Sequence, residues 1–342
     1  MKVAVIIPFY QEKVGLLRRC EQSALDNQCG VDVRILVVDD ESPVPAREEV
    51  GDIAAGRVGK VTIIRQRNAG PAAARNTGLD HVPAATPYVA FLDSDDYWTR
   101  PFLSDAVHAL YQGYDLFFGN TRWGRNQLSR FEWGSEPVWN LRAEGHLLID
   151  QSRDLYQFKG DFFDSLIHRS SIISTSAMAY RFDRFATLRF DTRLFNGQDR
   201  LFKLMLGQTV CKVAFSPKIY ADEGDGVGIF GNAGWGTEAS LRFTSNYIAL
   251  SKLILNELIL SPGQRAYIRR QLMDARRSFA ADLLHLLRHR KPVDWEQVHA
   301  TACRDPAAVA LFLPNVVRIA GRAFLRACRR PGKINMFFWV LA

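Results

Sequence analysis

Four apolar runs, each ending in polar or acidic residues, constrain this chain most. Residues 3–8 (VAVIIP), 33–38 (VRILVV), 61–65 (VTIIR) and 88–92 (YVAFL) are apolar nearly throughout instead of alternating. A strand that is apolar on both sides must be covered on both, as in a parallel sheet between helices. Between the runs the spacing predicts helices. One spans 13–27 (Val14, Leu17, Cys20, Ala24, Leu25), a short one 45–55, and a third 71–80, opening with Pro71 in its first turn. The β-α-β-α-β-α-β order predicts an α/β fold with a mostly parallel sheet and right-handed crossovers. Ligands of such sheets bind beyond the carboxyl ends of the strands. Those ends read Pro8-Phe9-Tyr10-Gln11-Glu12, Asp39-Asp40-Glu41-Ser42, Arg67-Asn68-Ala69-Gly70 and Asp93-Ser94-Asp95-Asp96.

Further along, a helix is expected over 102–112 and a strand over 114–119. An aperiodic stretch rich in Trp, Gly, Arg and Asn covers 121–150. Two helical stretches follow, then strands near 172–180 and over 212–220. Residues 224–236 hold six glycines with Phe230 and Trp235, and 237 to about 330 read as helical.

Composition excludes several classes. A chain of 342 residues with 47% hydrophobic and 23% charged side chains is not disordered. No uncharged apolar run approaches the roughly 18–20 residues of a membrane span, and the apolar N-terminal stretch is too short for a signal peptide. Five scattered cysteines without a C-x-x-C argue against a disulfide framework or zinc site, and for a reducing cytosol. The net charge is +8 and unevenly spread: residues 1–240 carry −3 and 241–342 carry +11. A basic C-terminal third suits a polyanionic surface or a solvated helical face.

Asp93-x-Asp95 follows a buried strand. Adjacent like charges disfavour each other unless a cation lies between them, and hard divalent ions take a few carboxylates plus substrate phosphate oxygens. The pair is thus a candidate Mn²⁺ or Mg²⁺–diphosphate site. The alternative is a turn in which Ser94, Asp95 and Asp96 cap the next helix.

PFYQE, VVDDES, RNAGPAAARNTGL and FLDSDDYW occur in that order, each at a strand end. Over about residues 1–235 the sequence resembles the family 2 glycosyltransferases of the GT-A fold. The resemblance implies a UDP-sugar donor, with Tyr10 stacked on the base, Pro8 and Glu12 near the nucleoside, and Asp40 accepting from the base. It places Asn68 and Gly70 where the chain passes the nucleotide, and Arg75 beside the donor phosphates or Asp93. Asp93 and Asp95 would hold the metal, with Ser94 between them. Inverting transfer needs a carboxylate base. The matching stretch is Phe195-Asn196-Gly197-Gln198-Asp199-Arg200-Leu201-Phe202, where Asp199 aligns with the base and Gln198 replaces the usual Glu. That replacement removes a neighbouring charge and should lower the Asp199 pKa. The alternative makes Asp199 only the N-cap of a helix over 200–207. Asp183 and Asp191 read as surface turns.

Gly226-x-Gly228-x-x-Gly231 matches a dinucleotide fingerprint, but no helix follows at once and no acid lies about 20 residues on. It reads as a mobile loop in which Trp235 closes over the donor, or as a plain linker. His285 and His289 read as a structural pair. The processive-synthase Q-x-x-R-W signature is absent, which favours single-sugar addition.

Arg318, Arg322 and Arg326 form a stripe on a helix, and the chain ends in an aromatic tail, Met336 to Leu341. A basic amphipathic helix suits the inner face of the cytoplasmic membrane, and hence a lipid-diphosphate-linked saccharide acceptor. Packing on the catalytic domain or into a homodimer is the alternative, and no nucleic-acid module appears. The expected organisation is a GT-A catalytic domain over 1–236 (nucleotide-sugar binding 1–120, acceptor side and Gly-rich loop 121–236) and a helical extension over 237–342. The whole chain looks like bacterial exopolysaccharide repeat-unit enzymes, especially succinoglycan-type glucosyltransferases, which implies glucose. A nucleotidyltransferase, or a membrane scaffold with an inactive transferase domain, is the competing expectation. PFYQE lacks the Gly-rich basic loop of the former, and the intact acids count against the latter.

Overall fold

Each of the first three apolar runs becomes a strand whose end lies within two residues of the expected position. The computed structural model describes residues 1–27, 30–50, 59–99, 101–123, 128–132, 140–224, 236–237 and 239–317. Trp235, Gly226, Gly228, Gly231, the Arg318–Arg326 stripe and the aromatic tail lie outside them. The chain divides into two compact units, Met1–Gly228 and Ile229–Ala342.

In the first unit the elements are β1 (Lys2–Phe9), α1 (Leu16–Asp26), β2 (Asp32–Asp39), β3 (Val61–Arg65), α2 (Gly70–Asp80), β4 (Tyr88–Phe91), β5 (Tyr97–Trp98) and α3 (Phe102–Tyr111). Then come β6 (Leu116–Trp123), β7 (Leu128–Ser129), β8 (Leu147–Asp150), β9 (Leu155–Gln157), α4 (Phe162–Arg169), β10 (Met178–Arg181), α5 (Gln198–Thr209) and β11 (Val213–Glu223). The sheet runs β3-β2-β1-β4-β10-β6-β11-β9-β8, with β5 added to β11 and β7 to β6. β3, β2, β1 and β4 are parallel. β10 enters antiparallel between β4 and β6, while β6 and β11 pair in parallel.

Val3 to Ile7 of β1 are fully buried, as are Val33, Ile35, Val37 and Val38 of β2. At about 1.5–3 kcal/mol per buried aliphatic side chain, these central strands are a major source of the unit's stability. They deliver Tyr10, Asp40 and Asp93 to the same edge, since parallel neighbours end together.

The segment before α5 is fixed to α2. The Asn76 side chain donates to the Phe190 carbonyl at 2.8 Å and accepts from the Phe190 N–H at 2.8 Å. Phe190 stacks on Phe202 of α5, ring centroids 4.0 Å apart and 6° from parallel, and Phe91 of β4 meets Phe202 edge-on at 5.8 Å. This aromatic cluster sets α5 against the central sheet.

The second unit holds α6 (Ser240–Glu257), α7 (Pro262–Arg288), α8 (Trp295–Arg304) and α9 (Pro306–Ala310). Ser261 and Gln264 form a reciprocal capping box at the start of α7. Leu241, Ile248, Phe279, Leu286 and Ala308 build its core. The His285 and His289 rings lie 4.3 Å apart on α7. Among the described residues no helix is long and apolar enough to cross a membrane.

Phe202→Ala should cost about 3–5 kcal/mol, because it removes a fully buried ring from a stacked cluster. Urea unfolding measures this; a loss below about 1 kcal/mol would contradict the packing described.

Candidate active site

The acidic turn begins two residues after β4. Its side chains alternate: Asp93 and Asp95 are partly exposed, whereas Ser94 and Asp96 are buried. The Asp96 N–H donates to the Asp93 carbonyl at 2.9 Å, closing the turn. Ser176 braces it from the segment before β10. Its hydroxyl accepts from the Asp93 N–H at 3.0 Å and donates to Asp96 Oδ2 at 2.5 Å. The Gly224 N–H donates to Asp96 Oδ1 at 2.9 Å. Burial pushes the Asp96 carboxyl well above its ordinary range, and the nearby Asp95, Asp93 and Glu223 push it further, against the Ser176 hydrogen bond. Asp96 thus serves as the anchor, leaving Asp93 and Asp95 as the partly accessible pair. Ser94 is tied to the end of β1, accepting from Gln11 Nε2 at 3.1 Å.

Arg75, on α2, lies beneath this turn and is only 5% exposed. Its Nη2 donates to Asp93 Oδ1 at 2.5 Å, and its guanidinium sits 5.3 Å from the Phe190 ring centroid. Its Nε and Nη1 are buried and make no hydrogen bond among the described residues. A buried guanidinium with unpaired N–H groups is costly, so a strong local charge must hold it there. Its field reaches Asp199 as well as Asp93.

Asp199 is the second residue of α5. The helix N-cap is Gly197, whose φ of 73° is a left-handed conformation that favours glycine. Asp199 is therefore not the N-cap, although an acid in the first turn gains from the helix dipole. Lys203, one turn on and only 5% exposed, donates to Asp199 Oδ2 at 2.8 Å and to the Ile173 carbonyl at 3.0 Å. Burial alone would raise the Asp199 carboxyl. The Lys203 charge and hydrogen bond, with Arg75 and the Arg200 N–H, outweigh it and hold the carboxyl well below its ordinary value. These cations surround Asp199 whatever residue stands at 198. Asp183 lies in a short helix, Phe182–Phe185, rather than a turn; it pairs with Arg181 and Asp191 with Arg193, both at 2.5 Å.

The second strand end is more structural than its acidity suggests. Asp39 accepts from the Ser42 N–H at 2.8 Å and the Ala46 N–H at 3.0 Å. Asp40, 3% exposed, accepts from Gln66 Nε2 at 2.7 Å, the Ala69 N–H at 2.9 Å and the Gly70 N–H at 2.8 Å. Three of its roughly four acceptor positions are thereby used to shape the loop that opens α2. Gly70 has φ 86° and open space where a Cβ would stand, so its conformation, not a close neighbour, calls for glycine. Glu41 holds a left-handed φ of 58° and accepts from the Asn68 N–H at 3.2 Å. Asn68 and Glu12 are exposed and Tyr10 is 38% exposed, whereas Pro8 is buried within β1.

Five residues with structural roles here escaped the sequence reading: Gln11, Glu41, Gln66, Ser176 and Lys203. Only Lys203 carried a signal, its i,i+4 spacing from Asp199. The others act through turns and long-range pairs that no local pattern announces.

The half-parallel α/β sheet with flanking helices is the GT-A fold of glycosyltransferases. The chain belongs to glycosyl transferase family 2, whose model matches residues 4–185. It is 34% identical over 239 residues to the succinoglycan biosynthesis protein ExoW of Rhizobium meliloti, covering 67% of this chain and 70% of that one. A shorter match, 34% identical over 106 residues, covers 31% of this chain and 40% of an Escherichia coli protein, the UDP-Glc:alpha-D-GlcNAc-diphosphoundecaprenol beta-1,3-glucosyltransferase WfaP. In fold it is similar to the Pyrobaculum calidifontis mannosyltransferase PcManGT, solved with GDP-Man and Mn²⁺. That similarity has a TM-score of 0.51 at 16% identity, over 99% of this chain and 88% of the other.

Asp40→Asn replaces a charged acceptor of three hydrogen bonds with an amide. It should destabilise the first unit by about 1.5–3 kcal/mol. Denaturant titration reads the loss; unchanged stability would remove Asp40 from its anchoring role.

Proposed function

We propose that this protein transfers one sugar, glucose, from a UDP donor to a hydroxyl of a lipid-diphosphate-linked saccharide, with inversion, in exopolysaccharide assembly. The observation that supports the reading is one buried guanidinium, Arg75, that bonds Asp93 and whose charge also acts on Asp199. Glucose and the lipid-diphosphate-linked acceptor rest on the similarity to WfaP, and exopolysaccharide assembly on that to ExoW.

Asp93 and Asp95 offer hard oxygen donors that suit Mn²⁺ or Mg²⁺. Two partly exposed carboxylates are too few for a complete cage, so such an ion would draw its other ligands from the donor diphosphate and water. Among the described residues no group of three or more His, Cys, Asp and Glu side chains forms a metal cage. When bound, the ion supplies charge neutralisation to the departing nucleoside diphosphate.

The chain's own residues do the rest. Tyr10 offers an exposed ring to the base, and Glu12, Asn68 and the loop held by Asp40 line the nucleoside. Arg75 fixes Asp93 and adds positive charge where the leaving group becomes more anionic. Asp199 takes the acceptor hydroxyl proton while the acceptor oxygen bonds to the anomeric carbon and the bond to the diphosphate breaks.

The basic second unit would rest on the anionic inner face of the membrane, near a lipid-linked acceptor. Val309, Leu313 and Val317, 48%, 70% and 70% exposed, give its last described helical turns an apolar stripe that leads into the arginine-rich segment.

UDP should raise the melting temperature more than GDP, and more with Mn²⁺ than without, since a ligand of the native state alone stabilises it. Asp199→Asn should lower turnover by about 10²–10⁴-fold while leaving the UDP-induced shift intact. Turnover within a few-fold of wild type would remove Asp199 as the base. Deleting residues 318–342 should shift the protein from vesicles containing anionic lipid to the supernatant on sedimentation; equal binding would rule out the tail as the membrane contact.

A further inference from the structure

We propose that Lys203 is a positioning residue for the base: its ammonium captures Asp199 Oδ2 and thereby presents Oδ1 to the acceptor hydroxyl. The inference rests on Asp199 being the base.

The geometry supports a clamp more than a surface ion pair. Lys203 Nζ is buried and held from two sides, by Asp199 Oδ2 at 2.8 Å and the Ile173 carbonyl at 3.0 Å. An exposed i,i+4 pair contributes little and leaves both side chains mobile. Here the lysine has given up its rotamer freedom, and a buried ammonium must stay paired. The carboxylate keeps 36% of its side-chain surface exposed, so one partner is locked while the other still faces solvent.

The charges facing Asp199 come from three places: Lys203 on its own helix, Arg75 on α2, and Arg130 in the segment after β7. Arg130 is itself held by both Glu223 oxygens, so much of its charge is already spent. Lys203 is the only one of the three with a hydrogen bond to Asp199 among those described. Two consequences follow. The carboxylate is held in its ionised form, although the same charges make it a weaker proton acceptor. Its orientation is also fixed before the acceptor arrives, which is where a proton acceptor gains most.

The test compares wild type with Lys203→Met, Lys203→Arg and Asp199→Asn in the full chain. UDP release from UDP-glucose is followed across pH, with water as the accepting hydroxyl. In parallel, ¹³C NMR titrates the carboxyl signal that Asp199→Asn removes. Lys203→Met should lower kcat by about 10²-fold, with KM for UDP-glucose little changed. It should also move the acid limb of kcat and the NMR midpoint to higher pH, because a lost cation favours the protonated acid. Lys203→Arg should restore most of both. A UDP-induced thermal shift equal to wild type shows that each variant is folded. An unmoved NMR midpoint in Lys203→Met overturns the proposal, as does a wild-type rate in that variant when Asp199→Asn is inactive. Full turnover in Asp199→Asn overturns the underlying assignment of the base instead. If UDP-glucose is not turned over at all, the NMR midpoint alone decides.

Discussion

The contact between Arg75 and Asp93 is the interaction on which the site depends. Three carboxylates stand within four residues on the turn after β4, and such a cluster is self-repelling. Arg75 relieves it from below through a 2.5 Å bond, with most of its own surface removed from water. A buried guanidinium needs a carboxylate partner; Arg75 bonds Asp93, and its charge also acts on Asp199. The Phe190 ring supplies its face to the same cation. Phe190 in turn belongs to the stack that places α5. Packing and electrostatics therefore converge on one side chain.

The cost of that arrangement is carried by the turn's buried members. Asp96 is kept neutral or strongly hydrogen-bonded by burial and by Ser176 and Gly224, and Ser94 is tied back to Gln11. With these two buried, Asp93 and Asp95 are the partly exposed acids of the turn. On the proposed reading, a cation arriving there would meet an Asp93 already bonded to Arg75, and the donor diphosphate would complete its shell.

Much of this was legible in the sequence, for a physical reason. Strands buried on both faces must be apolar throughout, so β1, β2 and β4 announced themselves, whereas β3 is an edge strand with Thr62 and Arg65 exposed. The acid pair and Asp199 were read from motif order. β10 was harder: only four residues long, it is preceded by short 3-10 turns and enters antiparallel, which no periodicity reveals. Asp40 looked like a ligand acid and proves to be the anchor of a loop, since a carboxylate's hydrogen-bond partners are not encoded near it in sequence. Gln198 drew notice as a departure at the base. The side chain that governs the charge beside Asp199 is instead Lys203, four residues on, and its burial is set by α5 packing rather than by any motif.

The most direct test of the shared acid–cation site is a Mn²⁺ titration followed by electron paramagnetic resonance, with and without UDP. The account predicts weak binding of Mn²⁺ to the protein alone, a large gain in affinity at one site per chain when UDP is present, and loss of that gain in Asp93→Asn and Asp95→Asn. Tight binding that ignores UDP, or a UDP-dependent gain that survives both substitutions, would contradict it.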